Sequence, residues 1–134
     1  MDKYFDNLKI VLALLGGILQ WLFGGLNSLI YALIAFVGLD YLTGILLAIC
    51  EKKISSEIGF RGISKKILIF ALIALGNIID QYILSSGGSL KTMLTLFYLS
   101  NEGISILENT AKIGLPLPQK LKDVLAQIGD KGEK

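Results

Sequence analysis

The sequence predicts an all-α integral membrane protein, and three observations carry that prediction. Apolar residues make up 53% of the 134, and charged residues only 18%, against roughly 25% in a soluble domain. The few charges are unevenly placed, so that runs of about 20 residues are almost free of them, which is the length a helix needs to cross a bilayer. Two prolines and 15 glycines in a chain this size fit helices better than low complexity.

Leu8 to Leu26 is the first candidate span, with 13 of 19 residues apolar. A Lys near its start invites a signal-peptide reading, but Gln20 and Trp21 stand where a cleavage region needs small residues. Spanning is the favoured reading. Ser28 to Cys50 is the strongest segment, with 18 apolar residues in 23 and one charge, Asp40. As a helix it reaches about 34 Å, against a bilayer core of about 30 Å. Residues 51–66 then break the pattern with five Lys or Arg and with Gly59 and Gly62, and are expected to form a loop.

Ile67 to Leu84 is a third span, 14 of 18 apolar. Leu90 to Leu107 is a weaker fourth, apolar at 10 of 18 positions. Its polar residues Thr92, Thr95, Tyr98, Glu102, Ser105 and Asn109 recur every three or four positions. That spacing puts them on one helix face, which must be buried or line a wet cavity. Gly114, Pro116 and Pro118 stop this helix. Residues 119–130 form a short amphipathic helix, with Leu121, Val124, Leu125 and Ile128 on one stripe and Lys120 and Lys122 beside it. Such a helix suits an anionic leaflet or the ends of the bundle.

The result is one domain of four spans, near 8–26, 28–50, 67–84 and 90–107, or three if the first segment lies flat. Four spans put the N-terminus, the 51–66 loop and the tail on one side. These regions hold 12 of the 13 Lys and Arg, leaving only Lys91 opposite. The positive-inside rule then makes both termini cytoplasmic.

Catalytic equipment is not expected. The sequence has no His and a single Cys, Cys50. This excludes Ser-His-Asp and Cys-His nucleophiles, His-containing and thiolate metal sites, and CxxC redox chemistry. No cofactor or metal is expected. A net charge of +2 is too small to imply nucleic acid.

Chemistry therefore points to the carboxylates inside the spans, each costing about 2.5–3.5 kcal/mol at mid-membrane on insertion scales. Asp40 and Glu102 fall at similar depth with no evident cation. They are candidates for a pore lining or an oligomer interface, with burial inside a bundle as the plain alternative. Gly44 and Ala48 continue the Asp40 ridge as a small-xxx-small pair. Asn77, Thr95, Tyr98, Ser105 and Asn109 complete this candidate set. Asp80 and Lys91 meet across a turn and are expected to form an ion pair at the outer surface.

Several pieces resemble the toxin secretion and phage lysis holins, grouped as bacteriophage holin superfamily four, which includes holin-like proteins of clostridial toxin loci. They are Asp40-Tyr-Leu-Thr-Gly44 with Ala48; Ser55-Ser56 with Gly59, Gly62 and Lys65-Lys66; Glu102 with Ser105-Ile-Leu-Glu-Asn109; and Gly114-Leu-Pro-Leu-Pro118 before a Lys-rich helix. The resemblance implies a homo-oligomer in the bacterial cytoplasmic membrane. It implies pores or lesions that release an endolysin or a large toxin lacking a signal sequence. A small ion channel or transporter subunit, and an antiholin or membrane scaffold, are the competing classes.

Overall fold

The computed structural model describes residues 2–85 and 87–133, so Ser86 of the 85–89 turn lies outside the described residues. Five α-helices account for nearly all of it: α1 (Asp2–Phe23), α2 (Ser28–Cys50), α3 (Ser56–Ile79), α4 (Ser89–Ile113) and α5 (Gln119–Glu133). A π-helical turn, Asp80–Leu84, continues α3. Three of these helices are long and apolar enough to cross a bilayer: α1, α2, and α3 together with its π turn. The fourth expected span, α4, is not among them, because the polar residues noted above dilute its apolar content.

α2 begins where its sequence signals place it. The Asn27 side chain accepts from the Ile30 N–H at 3.0 Å, satisfying an N–H that the first turn leaves without a partner. α3 begins eleven residues earlier than the third span expected from hydropathy, which corrects the 51–66 loop to residues 51–55. Ser55 caps it, accepting from the Ile58 N–H at 3.2 Å, and Glu57 lies in the first turn, where the helix dipole favours an acid. The two glycines read as turn markers sit inside this helix. A Cβ at Gly59 or Gly62 would lie 3.4 Å from Tyr41 of α2. Glycine costs a helix about 1 kcal/mol relative to alanine, and here it lets the Tyr41 ring lie directly on α3.

α4 is the central element, packed against α2, α3 and α5. The apolar core is small: Ile30 and Leu33 of α2, Ile69 and Ile73 of α3, and Leu99 of α4. α2 and α4 run in the same direction and α3 runs against them. The bundle therefore has an Asp80 end, where α1 meets the other helices, and a basic end made by the 51–55 and 114–118 turns.

α5 folds back along α4. Leu125 is buried, the Ser100 hydroxyl donates to the Leu125 carbonyl at 2.7 Å, and Ile128 packs on the core's edge. Leu121 and Val124 stay exposed, so only half of the apolar stripe serves the bundle. The close approach depends on Gly103, where a Cβ would stand 2.7 Å from a Leu125 methyl. Gly103→Val is expected to lose about 1–3 kcal/mol through overpacking and to lift α5 from α4. Limited proteolysis in detergent checks this: cleavage within 115–125 should accelerate, and an unchanged digestion pattern would place α5 elsewhere.

α1 makes a different kind of contact. None of its residues is buried, and only its last turn touches the bundle.

Candidate functional site: a buried charge cluster and a helix socket

The buried faces are built at helical spacing. On α3, Lys66, Ile69, Ile73, Asn77 and Asp80 fall three or four positions apart and so share one face. On α2 the same holds for Ile30, Leu33, Val37, Asp40 and Gly44, and on α4 for Lys91, Thr95, Leu99 and Glu102. The α3 and α4 faces carry polar or charged groups towards both ends, and the α2 face carries Asp40 towards its second half. When the three helices pack, these groups meet in two clusters, with Lys66 and Asp80 separated by about 21 Å of helix.

The first cluster joins Asp40, Lys66 and Glu102. The Lys66 ammonium donates to Asp40 Oδ2 and to Glu102 Oε2, the latter at 2.6 Å. The side chains of Asp40 and Glu102 are 8% and 7% exposed and that of Lys66 19%, which places the cluster inside the bundle. Asn109 completes it, its amide donating to Asp40 Oδ1 at 3.2 Å and to the Thr43 hydroxyl oxygen at 3.0 Å. Gly44 lies beneath that amide, 3.7 Å from where its Cβ would be. The expectation that neither acid has a cation at its depth is thus corrected. Polarity alone puts this cation in a loop, whereas α3 begins at Ser56 and carries Lys66 in the helix. Asp40, Gly44, Glu102 and Asn109 face one another within the protomer. Thr95 is buried and its hydroxyl donates to the Lys91 carbonyl at 2.8 Å. Tyr98 packs on the core, and Ser105 and Ala48 are half-buried.

The second cluster lies at the Asp80 end. The Asp80 carboxylate accepts from the backbone N–H groups of Leu90 and Lys91, at 3.1 and 2.8 Å. It thereby caps α4, whose own N-cap, Gly88, has no side chain to do so. The Lys91 ammonium donates to the carbonyls of Phe23 and Gly25, and the Asn77 amide donates to those of Leu22 and Trp21, at 2.8 and 3.3 Å. Helix C-termini leave such carbonyls without helical partners and carry partial negative charge. The expected outer ion pair therefore takes another form. Asp80 and Lys91 are linked through the Lys91 backbone, and each charge serves the end of a different helix. Gly24, at φ +65, lies so close to Asn77 that a Cβ would stand 2.5 Å from its Oδ1. The Trp21 indole donates to the Tyr82 hydroxyl at 3.0 Å, closing a socket for the root of α1. Gly24, Asn77, Asp80 and Lys91 also border an open cavity of about 460 Å³.

Among the described residues, no group of three or more His, Cys, Asp or Glu side chains is placed to hold a metal. The clusters hold helices together, and their charged groups are engaged with one another or with backbone.

Fold and clusters define a class: a small helical membrane protein whose buried polar groups clamp a bundle and root a free apolar helix. The profile of the bacteriophage holin family matches residues 17–130, and the chain belongs to that family. It is 34% identical over 124 residues to a probable holin of Bacillus phage phi105, covering 92% of this chain and 85% of the phage protein. It is 37% identical over 131 residues to a 14.9 kDa protein of the nagH 3′ region of Clostridium perfringens, covering 98% of this chain and 99% of the relative. The Bacillus subtilis protein YqxH is 38% identical over 113 residues, 84% of this chain and 79% of its own length. No solved structure matches the chain.

Proposed function

We propose that the protein is a holin that oligomerises in the bacterial cytoplasmic membrane and opens it to a cytoplasmic endolysin or signal-less toxin. The observation that carries this reading is the family match across residues 17–130 in a chain with three helices fit to cross a bilayer. α1 supports self-assembly: it is rooted at one end and has no buried residue within the protomer. Lipid supplies no hydrophobic drive between helices, so the glycines Gly16 and Gly17, where an added Cβ would meet no other part of the protomer within 4 Å, offer a close-packing surface on that helix. The ion-channel reading loses support, because Asp40 and Glu102 are engaged by Lys66 rather than left to meet ions.

The Lys and Arg distribution favours a cytoplasmic basic end and, if α1 spans, a cytoplasmic N-terminus. Inducible expression beside an endolysin without a signal sequence is expected to give abrupt lysis. Insertion without lysis would favour an antiholin or scaffold. In the same cells, carrying Cys50→Ser, an external thiol reagent applied before lysis should label Ile83→Cys and miss Asp130→Cys. The reverse labelling would invert the orientation.

A further inference from the structure

The 51–55 turn, the first turns of α3 and the 114–118 turn bring two kinds of exposed side chain together at the basic end. Lys52, Lys53, Arg61, Lys65, Lys112, Lys120 and Lys122 are all exposed. Their acidic neighbours are Glu51, Glu57, Glu108 and Asp123, so seven positive charges face four negative ones. Two of the seven are matched locally, Lys53 with Glu51 at 3.9 Å and Arg61 with Glu57 at 3.4 Å. Interleaved with them are Phe60 at 73% exposed, Leu115 at 60%, Ile54 at 58% and Ile58 at 54%.

Neither set is explained by packing. Phe60 lies on the side of α3 away from Gly62 and Tyr41, Ile58 stays more than half exposed one turn before Gly62, and these lysines are exposed. An excess of cations around solvent-facing aromatic and branched side chains is the pattern of a surface resting at a lipid headgroup boundary. There the rings enter the acyl edge while Lys and Arg meet phosphate. The location agrees, since the apolar lengths of α2 and α3 run directly into this end.

We propose that the basic end docks onto anionic phospholipid headgroups of the leaflet it adjoins, with Phe60 and Ile58 inserted and Lys52 and Lys65 among the headgroup contacts. This differs from the leaflet contact expected of the C-terminal helix, whose Leu125 and Ile128 are committed to α4 and the core. The proposal rests on membrane insertion and not on pore formation.

The test places a reporter at position 60 of the full chain, reconstituted in vesicles. In a Trp21→Phe background, Phe60→Trp gives a single tryptophan, since Trp21 is the only native one. Should loss of the Trp21–Tyr82 bond disturb the fold, Phe60→Cys carrying an environment-sensitive dye in Cys50→Ser serves instead. With phosphatidylglycerol present, emission should shift to the blue and be quenched by brominated lipid. Both effects should weaken in purely zwitterionic vesicles, in high salt and in Lys52→Gln/Lys65→Gln. Water-like emission in both lipids overturns the proposal. So does an equal, salt-insensitive shift without anionic lipid, which would mean apolar insertion alone. A shift that grows with the protein-to-lipid ratio and ignores lipid charge would assign the surface to a protein partner.

Discussion

Lys66→Met is expected to be the most damaging single substitution away from the apolar core. It removes the ammonium that Asp40 and Glu102 share and leaves two buried carboxylates facing each other. Removing one partner of a buried ion pair costs about 3–5 kcal/mol, because the remaining charge stays in low dielectric without compensation. The variant should unfold at clearly lower temperature or denaturant in detergent. The triple change Asp40→Asn, Glu102→Gln, Lys66→Met should recover most of the loss, since neutral side chains of similar volume relieve the uncompensated charge. A Lys66→Met protein as stable as the parent would mean that water reaches the cluster. A triple variant as unstable as the single would mean that the cluster is held by shape rather than charge.

Exchanging the charges at the Asp80 end separates two mechanisms. Asp80→Lys removes an acceptor from two backbone N–H groups at the start of α4, and Lys91→Asp removes a donor from the carbonyls of Phe23, at the end of α1, and Gly25, just beyond it. Hydrogen bonds to charged groups are worth about 1.5–3 kcal/mol each, so each reversal should cost on the order of 2 kcal/mol or more. The double reversal should be no better than the two losses combined, because a lysine cannot accept from N–H groups and an aspartate cannot donate to carbonyls. Rescue by the double reversal would restore a direct side-chain pair. Thermal unfolding of the four proteins in one detergent gives the comparison.

The sequence revealed the helices better than their ends, and the reason is local. Hydropathy located the helix α2 to the residue, because Asn27 and Glu51 bound an apolar run. It missed eleven residues of α3, because Arg61, Lys65 and the two glycines look like a loop in a window that weighs only polarity. The Ser55 cap with Glu57 two residues on was the contrary signal. Had it prevailed, Lys66 would have fallen on one face with Ile69, Ile73, Asn77 and Asp80, and a cation at the depth of Asp40 would have been evident. The polar face of α4 was legible from its spacing, since periodicity survives in any composition. Its partners were not, because Lys66 is 36 residues from Glu102 and Asp40 is 69 from Asn109, and no local rule spans such separations. Asp80 and Lys91 are legible as neighbours across the turn, but their backbone partners are not. Charge suggests pairs, whereas helix ends need acceptors and donors that only the packed structure locates.

The proposed function requires the protein to open a membrane to other proteins. Purified protein, added at rising concentration to vesicles holding both a small dye and a folded enzyme of endolysin size, tests it most directly. Above a threshold set by self-assembly, dye and enzyme should leave together, since a concentration-dependent association switches on over a narrow range. Release of dye with the enzyme retained at every concentration, or retention of both by fully inserted protein, would contradict it.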